Sequence, residues 1–285
     1  MDYKKLINQK RTLLVIVLVL IVAIVSVFLI LIFIKPKVVK TTIKFVPTSA
    51  FLKSILNNSA ISIPAPIENK SIYTSIKTLQ DAININSATV GWLYVQNTTI
   101  NLPIVQKKED TDNEYYLHTD IYKNSRKKGW PFVDYHDNFN PLPKNLIIYG
   151  HNMGDGDLFG QLKYYKALSF LNSNPIIYFN TTSEQYCFKI FAVYVIDTNF
   201  DYIQTDFKDD NDFLNFISKN KSRSLFNTNV DVVASDTILT LSTCTYDFHD
   251  ARFVVMARRV RADESLLVVP AAINPKPHSP HNKTT

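Results

Sequence analysis

A long apolar segment lies near the start of the chain, where residues 13–34 form a run of 22 residues in which only Ser26 is polar. At about 1.5 Å rise per residue, a helix of this length spans the roughly 30 Å hydrocarbon core of a bilayer. A cleaved signal peptide has a shorter apolar run, about 7 to 15 residues, and a small-residue cleavage site. The segment has neither property, so the pattern predicts an uncleaved transmembrane signal anchor.

Basic residues flank this predicted anchor on both sides: Lys4, Lys5, Lys10 and Arg11 before it, and Lys35, Lys37, Lys40 and Lys44 after it. Long C-terminal domains are translocated despite flanking charge of this kind. We therefore expect residues 1–12 in the cytoplasm and the bulk of the chain outside, as in a single-pass protein of the cell membrane.

Between the anchor and the first periodic segment, residues 35–70 contain four prolines with scattered Ser, Asn and Lys, which is typical of a stalk or linker. Apolar residues then recur at helical spacing, at Ile72, Ile76, Leu79 and Ile83. This spacing predicts an amphipathic helix that packs on the surface of the domain.

From residue 90 onward, short β-branched and aromatic runs alternate with Asn, Asp, Gly and Pro, which is typical of strands and turns. The predicted strands are 92–95, 99–105, 145–149, 176–179, 186–196, 230–234, 237–241 and 252–260. About eight strands indicate a mostly β fold, either a barrel or a sandwich. One helix is predicted at 210–221, where acidic residues begin the segment, lysines end it, and Phe213, Leu214 and Ile217 form an apolar face. The tail, residues 262–285, ends in an aperiodic segment rich in Pro, Asn and His, and we expect it to be disordered.

Composition and charge exclude several classes of protein. The chain has 31 Lys+Arg, 25 Asp+Glu and a formal net charge of +6, but residues 1–35 hold five basic residues against one acidic residue. Because the remainder has no basic stripe with interleaved aromatics, we expect no nucleic-acid partner. A hydrophobic content of 46% excludes a disordered chain, and two cysteines are too few for a disulfide framework or a metal cluster. We expect no metal and no cofactor.

Cys244 ends an apolar run and is followed by polar residues, so it is expected at the mouth of a buried strand. A thiol there is rigidly held and reachable, which suits a nucleophile, although free cysteine is also among the most buried residue types. Cys187 lies inside a predicted strand, where it is simplest to interpret as a small buried hydrophobe. A Cys187–Cys244 disulfide is the competing hypothesis, since an extracellular compartment is oxidising, and it would remove the nucleophile.

Two further residues are expected near the same strand ends. His151 directly follows the predicted strand 145–149, beside Gly150, which permits an abrupt turn of the backbone. Arg252 follows Cys244 by eight residues and starts the next strand. A hairpin between these two strands would place the guanidinium opposite the thiol, where an always-charged donor can hold an oxyanion.

The motifs that contain these residues resemble those of the sortases, the membrane-anchored cysteine transpeptidases of Gram-positive bacteria. Thr240-Leu-Ser-Thr-Cys244 resembles the family's TLxTC motif, and Tyr149-Gly-His151-Asn-Met and Ala251-Arg-Phe-Val-Val resemble its histidine and arginine motifs, in the expected order. The resemblance covers roughly residues 70–261. The serine in the cysteine motif, the Tyr-Gly-His-Asn-Met sequence and the predicted late helix indicate class B.

This resemblance implies a closed eight-stranded sortase-type β-barrel over residues 71–261, with an N-terminal helix and a helix in the long loop before the cysteine strand. It implies that Cys244 is the nucleophile, His151 the general acid and base, and Arg252 the residue that stabilises the oxyanion and the substrate carbonyl. It also implies a set of residues that line the groove for the sorting signal: Tyr149, Ser242, Asn113, Leu117, Thr198, Tyr202 and Ile203.

The implied activity is cleavage of a C-terminal sorting signal after Thr, through a thioacyl enzyme, and transfer of the acyl group to an amine of the cell wall or of another protein subunit. The implied partners are surface proteins with a Thr-containing signal, a peptidoglycan precursor or cross-bridge amine, and the membrane through residues 13–34. Two alternatives stay open: a cysteine peptidase that only hydrolyses, and a non-catalytic membrane-tethered binding module.

Overall fold

The computed structural model describes residues 76–108, 113–139 and 141–278. The predicted anchor, 13–34, and the predicted stalk, 35–70, lie outside these residues. Within the described ranges, every helix is too short or too polar to cross a bilayer.

The described residues form a mostly β domain of three helices and ten strands. The helices are α1 Leu79–Ile85, α2 Leu168–Ser173 and α3 Asp210–Arg223, with 3₁₀ turns at Tyr115–Leu117 and Gly160–Lys166. The strands are β1 Thr89–Val95, β2 Asn101–Val105, β3 Phe132–Val133, β4 Asn145–Tyr149, β5 Ile176–Asn180, β6 Gln185–Ile196, β7 Phe226–Asn227, β8 Ile238–Cys244, β9 Arg252–Arg259 and β10 Ala272–Ile273.

Eight of these strands close into a barrel in the order β1-β2-β3-β4-β8-β9-β6-β5, with β5 pairing back onto β1. The pairs β2–β3 and β4–β8 are parallel, and the other neighbours are antiparallel. Closure satisfies the backbone groups that an open sheet would leave unpaired at its edges. The structure confirms the closed eight-stranded barrel and rules out the sandwich.

Strands β6 and β9 are apolar on both faces because each face is covered. Ile190 and Val193 point into the barrel, whereas Phe191 and Tyr194 belong to an outer apolar cluster with residues of α3. The predicted helix at 210–221 is therefore confirmed as α3. Phe213 and Ile217 of its predicted apolar face are buried in this cluster with Phe216, whereas Leu214, also predicted on that face, is exposed. Asp209 caps this helix, accepting a hydrogen bond of 2.9 Å from the backbone N–H of Asp212.

The predicted N-terminal helix is present as α1, which begins at Leu79. Thr78 and Asp81 form a capping box in which each side chain accepts from the other residue's backbone N–H at 3.0 Å. This box fixes the start of the helix, so Ile76 lies before it and is buried without being helical. Residues 71–75, including Ile72, lie outside the described residues.

Seven of the eight predicted strands are present, with ends shifted by at most three residues. The predicted strand 230–234 is wrong, because that segment has no strand pairing. Val230 is buried in the outer apolar cluster, and its carbonyl accepts from Lys221 Nζ at 2.9 Å. Val230 and Val232 therefore reflect packing in this outer cluster, whereas Val233 is exposed. The eighth barrel strand is β3, Phe132–Val133, which is too short to show a period in the sequence.

The tail after Arg261 differs from the prediction of disorder over residues 262–278. Strand β10 pairs with β7, and Glu264 bridges two buried basic residues of the barrel, with Oε1 at 2.6 Å from Lys189 Nζ and 2.8 Å from Arg258 Nη2. Arg258 is 1% exposed. Strand β10 has only two residues, and Glu264 is held by single side-chain contacts with the barrel. Neither feature produces a periodic pattern in the sequence, so the order of the tail could not be predicted.

Candidate active site

The ends of three neighbouring strands bring the predicted catalytic residues together. In the parallel pair β4–β8, Tyr149 lies beside Ser242, and the Gly150 N–H continues the pairing onto the Ser242 carbonyl at 3.2 Å. His151 follows β4 by two residues and Cys244 ends β8, and both residues line the same cleft. In the antiparallel pair β8–β9, Cys244 lies directly opposite Arg252. The hairpin expected between the Cys and Arg strands is confirmed.

These strand ends open into a cleft of about 680 Å³. All ten residues expected at the site line it: Cys244, His151, Arg252, Tyr149, Ser242, Asn113, Leu117, Thr198, Tyr202 and Ile203. A second cavity of about 710 Å³ lies beside α1 and the β5–β6 turn, and none of these ten residues lines it. The cleft around Cys244 is therefore the candidate active site.

Cys244 is exposed at the end of β8, and both cysteines of the chain are free thiols. The disulfide hypothesis fails on the strand register. Val260, which follows β9, donates its N–H to the Cys187 carbonyl, whereas Cys244 pairs with Arg252 at the start of β9. Eight residues of extended strand separate these positions, or about 26 Å at about 3.3 Å per residue, far beyond the reach of a disulfide. Burial raises the pKa of Cys187, which keeps that thiol protonated.

His151 is oriented by a backbone carbonyl. Its Nε2 atom lies 3.0 Å from the carbonyl oxygen of Leu117, in the 3₁₀ turn Tyr115–Leu117. A carbonyl oxygen only accepts hydrogen bonds, so this contact places a proton on Nε2. The Nδ1 atom is then left for proton transfer. The imidazole is thus fixed in one tautomer by a group that does not itself titrate.

Position 150, next to His151, requires glycine for a different reason from the one expected. Its backbone φ is not positive, and so the residue is not required for a left-handed turn. A Cβ atom at this position would instead lie 2.7 Å from the ring of Phe159. The Phe159 N–H also donates to the His151 carbonyl at 3.1 Å. Glycine lets this ring pack directly against the histidine segment.

Arg252 is held by its own loop. Its Nη1 atom donates to the carbonyls of Asp250 and Ala251, both at 3.2 Å. A guanidinium carries further N–H donors on Nε and Nη2. The loop bonds therefore orient the group and leave donors on Nε and Nη2 for another hydrogen-bond acceptor.

Two tyrosines of the cleft are neutral hydrogen-bonding groups. Burial raises the pKa of Tyr202, whose hydroxyl lies 2.9 Å from the Ser242 hydroxyl, although Arg252 opposes the shift. Burial, and after it the charge of Asp134, raise the pKa of Tyr149 far above its usual value. The Tyr149 hydroxyl therefore stays protonated and donates to Asp134 Oδ2 at 2.8 Å.

Sequence reasoning missed several residues of the cleft wall and one buried residue behind it. The additional lining residues are Glu114, Phe132, Gly150, Asn199, Phe200, Asp201 and Thr243. The buried residue is Asp134, which also accepts from Asn113 Nδ2 at 2.9 Å. In the described residues, no cluster of three or more His, Cys, Asp or Glu side chains suits a metal ion.

Comparison with known proteins gives consistent matches over the barrel. A family model described as a sortase domain matches residues 93–260. Sortase B of Listeria monocytogenes is 40% identical over 184 residues, covering 64% of this chain and 74% of that protein. Sortase B of Staphylococcus aureus is 36% identical over 179 residues, covering 62% and 72%.

Solved structures of sortase B also match this chain. The S. aureus sortase B–substrate complex superposes with a TM-score of 0.60 and 34% identity, covering 65% of this chain and 85% of that one. Clostridium perfringens sortase B superposes with a TM-score of 0.61 and 35% identity, covering 65% and 100%.

Proposed function

Because this chain belongs to the sortase family and is a sortase B-type cysteine transpeptidase, we propose that Cys244 is its nucleophile, His151 its general acid and base, and Arg252 its oxyanion stabiliser. The register of β4, β8 and β9 supports this assignment, since it brings three residues distant in sequence to one cleft. The exposed thiol of Cys244 also supports it, because a nucleophile must be reachable.

In the first half of the proposed reaction, the Cys244 thiolate attacks the carbonyl carbon of the threonine in a sorting signal. The developing negative charge on the carbonyl oxygen is offset by N–H donors of Arg252. As the tetrahedral intermediate collapses, the C–N bond breaks and the His151 imidazolium gives its Nδ1 proton to the leaving amine. The products are a thioacyl enzyme and a free C-terminal fragment.

In the second half, an amine attacks the thioester carbonyl while neutral His151 accepts the proton of that amine. The C–S bond breaks, the thiolate is regenerated, and the acyl group is joined to the amine by a new amide bond. The same imidazole therefore acts first as an acid and then as a base. We propose that the acceptor is an amine of peptidoglycan or of another protein subunit.

The rest of the cleft is proposed to bind the sorting signal of a surface protein. The S. aureus relative is described as a complex with substrate, and the residues lining the cleft here suit an extended peptide. Asn113 and the Tyr202–Ser242 pair offer polar groups to a peptide backbone, whereas Leu117 and Ile203, which is 43% exposed, offer apolar contact.

We further propose that residues 13–34 anchor the enzyme in the cell membrane, with residues 1–12 in the cytoplasm and the barrel outside. The apolar run of the sequence supports this topology. In sealed cells, protease added from outside should digest the barrel. A barrel that stays intact until the membrane is permeabilised would contradict the proposed topology.

Partitioning between an amine and water tests the proposed activity against simple hydrolysis. A soluble form of the enzyme is incubated with a Thr-containing sorting peptide and an excess of a peptide amine, and the products are measured by mass spectrometry. We expect the ligated product from the unchanged enzyme and from Cys187→Ala, the matched control, but not from Cys244→Ala or His151→Ala. Free acid as the only product would instead assign a peptidase.

A further inference from the structure

On the basis of the function proposed above, we propose that Asp134 is a positioning residue, which fixes two walls of the substrate cleft, Asn113 and Tyr149, through one buried carboxylate oxygen. Asp134 does not line the cleft. It acts through the two residues that do.

The contacts converge on Oδ2 of Asp134. Asn113 Nδ2 donates to this oxygen at 2.9 Å, and the Tyr149 hydroxyl donates to it at 2.8 Å. Asn113 and Tyr149 lie 36 positions apart in the sequence and come from separate segments, the approach to the first 3₁₀ turn and the end of β4. A single carboxylate oxygen therefore joins the side chains of two cleft walls that come from different segments of the chain.

Asp134 is itself held from several directions. Its residue exposure is 3%, its N–H donates to the Ile147 carbonyl at 3.0 Å, and its carbonyl accepts from Gln106 Nε2 at 2.8 Å. The second carboxylate oxygen, Oδ1, lies 3.0 Å from the His136 N–H and 2.8 Å from His136 Nδ1. Three residues, Asn113, Tyr149 and His136, therefore place four hydrogen-bonding atoms on the two carboxylate oxygens. Its position is consequently determined without any contribution from substrate.

The same contacts determine which groups the walls present. The Asn113 carbonyl oxygen accepts from the Tyr135 N–H at 3.1 Å, while its amide nitrogen donates to Asp134. This pair of bonds sets the amide in one of its two flip states. Tyr149 has its hydroxyl on Asp134 and its ring at 5.4 Å from the ring of Phe132, another cleft residue. Without Asp134, both side chains gain rotational freedom that substrate binding must then remove.

Asp134→Asn is the principal test, because it keeps the shape of the side chain and removes its charge. If the amide turns its nitrogen toward Asn113 and Tyr149, it accepts from neither of them. If it turns its oxygen toward them, its nitrogen faces the His136 N–H and both bonds lose their charge assistance, so in either orientation the two walls are held less strongly. We expect the KM for the sorting peptide to rise by about tenfold, the change that corresponds to losing one charge-assisted hydrogen bond, with kcat changed much less. Asp236→Asn is the matched control, since Asp236 is also a buried carboxylate, 6% exposed, but bonds to Arg261 and Val233, away from the cleft.

A double-mutant cycle separates positioning from general destabilisation. Tyr149→Phe removes the hydroxyl that Asp134 binds and keeps the ring. If Asp134 acts through Tyr149, adding Asp134→Asn to Tyr149→Phe raises KM by clearly less than it does in the unchanged enzyme. Full additivity of the two effects, or an unchanged KM in Asp134→Asn, would overturn the proposal.

A lower melting temperature of Asp134→Asn with an unchanged KM, the result expected for Asp236→Asn, would also overturn the proposal. Asp134 would then have a purely structural role. If Asp134→Asn does not fold, Tyr149→Phe is decisive by itself, because an unchanged KM in that variant removes the proposed link. Throughout, the unchanged enzyme ligates and Cys244→Ala does not. These two results report on the proposed function separately from the role of Asp134.

Discussion

Individual residues in the cleft are placed by neighbours that take no part in the chemistry. The Leu117 carbonyl sets the tautomer of His151, the Asp250 and Ala251 carbonyls hold Arg252, and the ring of Phe159 requires glycine at position 150. Each of these neighbours contributes a backbone group or an apolar ring. Catalytic geometry at this scale therefore depends on packing as much as on the reacting groups.

Gly150→Ala tests the packing around His151. The added methyl group would lie 2.7 Å from the Phe159 ring, so we expect a loss of about 1 to 3 kcal/mol in unfolding free energy together with a fall in kcat/KM. Denaturant unfolding and peptide turnover measure both. Gly154→Ala is the control, because a Cβ there meets no atom within 4 Å. Equal stability of the two variants would show that the ring moves aside freely.

Arg252→Ala tests the proposed oxyanion contact. Removing one such donor costs roughly 3 kcal/mol in activation free energy, or about a hundredfold in kcat, and we expect at least this loss. Arg259→Ala, at the other end of the same strand and paired with exposed Glu184, should leave kcat unchanged. A kcat within a few-fold of the unchanged enzyme in Arg252→Ala would assign the oxyanion to other donors.

The sequence indicates the proposed catalytic residues because each stands in a continuous motif directly after or before a strong strand pattern. Asp134 has no such pattern, since its partners Asn113 and Tyr149 lie 21 positions before it and 15 after it. Such a contact exists only once β3 and β4 are paired. Residues that act through tertiary contacts are therefore the part of the site that sequence reasoning could not reach.

At the scale of helices and strands, elements with a long periodic pattern were predicted and short ones were missed. Strands β4, β6 and β9 and helix α3 have enough residues for a period to be recognised. Strands β3, β7 and β10 have two residues each, and their pairing depends entirely on where the rest of the chain places them. The segment 230–234 shows the converse error, because Val230 and Val232 pack in the outer apolar cluster without belonging to a strand.

Glu264→Gln tests the attachment of the tail to the barrel. The substitution leaves Lys189 and Arg258 without their shared carboxylate, and Arg258 is 1% exposed. We expect a loss of about 2 to 3 kcal/mol in unfolding free energy, less than for a fully buried pair because the Glu264 side chain is 25% exposed. Glu184→Gln, which breaks the exposed pair with Arg259, is the control and should cost well under 1 kcal/mol.

The dependence of stability on pH in acidic solution independently tests the ion pair between Glu264 and Arg258. Arg258 holds the pKa of Glu264 well below its usual range, so the carboxylate stabilises the fold at neutral pH. This stabilisation is lost as pH falls from about 4.3, the usual Glu value, toward the lowered native value. The difference in melting temperature between the unchanged enzyme and Glu264→Gln should therefore shrink as the solution is acidified. A constant difference would contradict the ion pair.

At the scale of the whole molecule, the closed barrel buries polar groups along with its apolar core, and one of them gives stability a pH dependence. Asp137 is 1% exposed, and burial raises its pKa to about 8. Its Oδ2 accepts from the Ile147 N–H at 2.9 Å, and its Oδ1 has no hydrogen-bond partner among the described residues. The folded barrel thus keeps a proton on Asp137 that the unfolded chain releases near pH 4.

Asp137→Asn tests this protonated state, because an amide resembles the neutral acid. Between about pH 4 and pH 8 the native state binds more protons at this position than the unfolded state, so Asp137 lowers stability progressively as pH rises. The melting temperature of Asp137→Asn relative to the unchanged enzyme should accordingly rise from pH 5 to pH 8 and then level off. Parallel melting curves across this range would contradict the raised pKa.

Most of the overall architecture follows from the sequence. Strand patterns predict a mostly β fold, but they leave a barrel and a sandwich equally open, because closure depends on which strands pair. The parallel β4–β8 pair and the β1–β5 contact that closes the barrel join strands distant in sequence, and local periodicity carries no information on such pairs. The resemblance in the cysteine, histidine and arginine motifs decided between the two architectures.

Direct trapping of a covalent intermediate gives the sharpest test of the account. The soluble enzyme is mixed with a Thr-containing sorting peptide, quenched in acid without any amine acceptor, and analysed by intact mass and by mapping of the modified residue. A thioester adduct on Cys244, absent from Cys244→Ala and retained in Cys187→Ala, is the predicted result. Turnover of the peptide by Cys244→Ala, or an acyl group mapped to any other residue, would contradict the central claim.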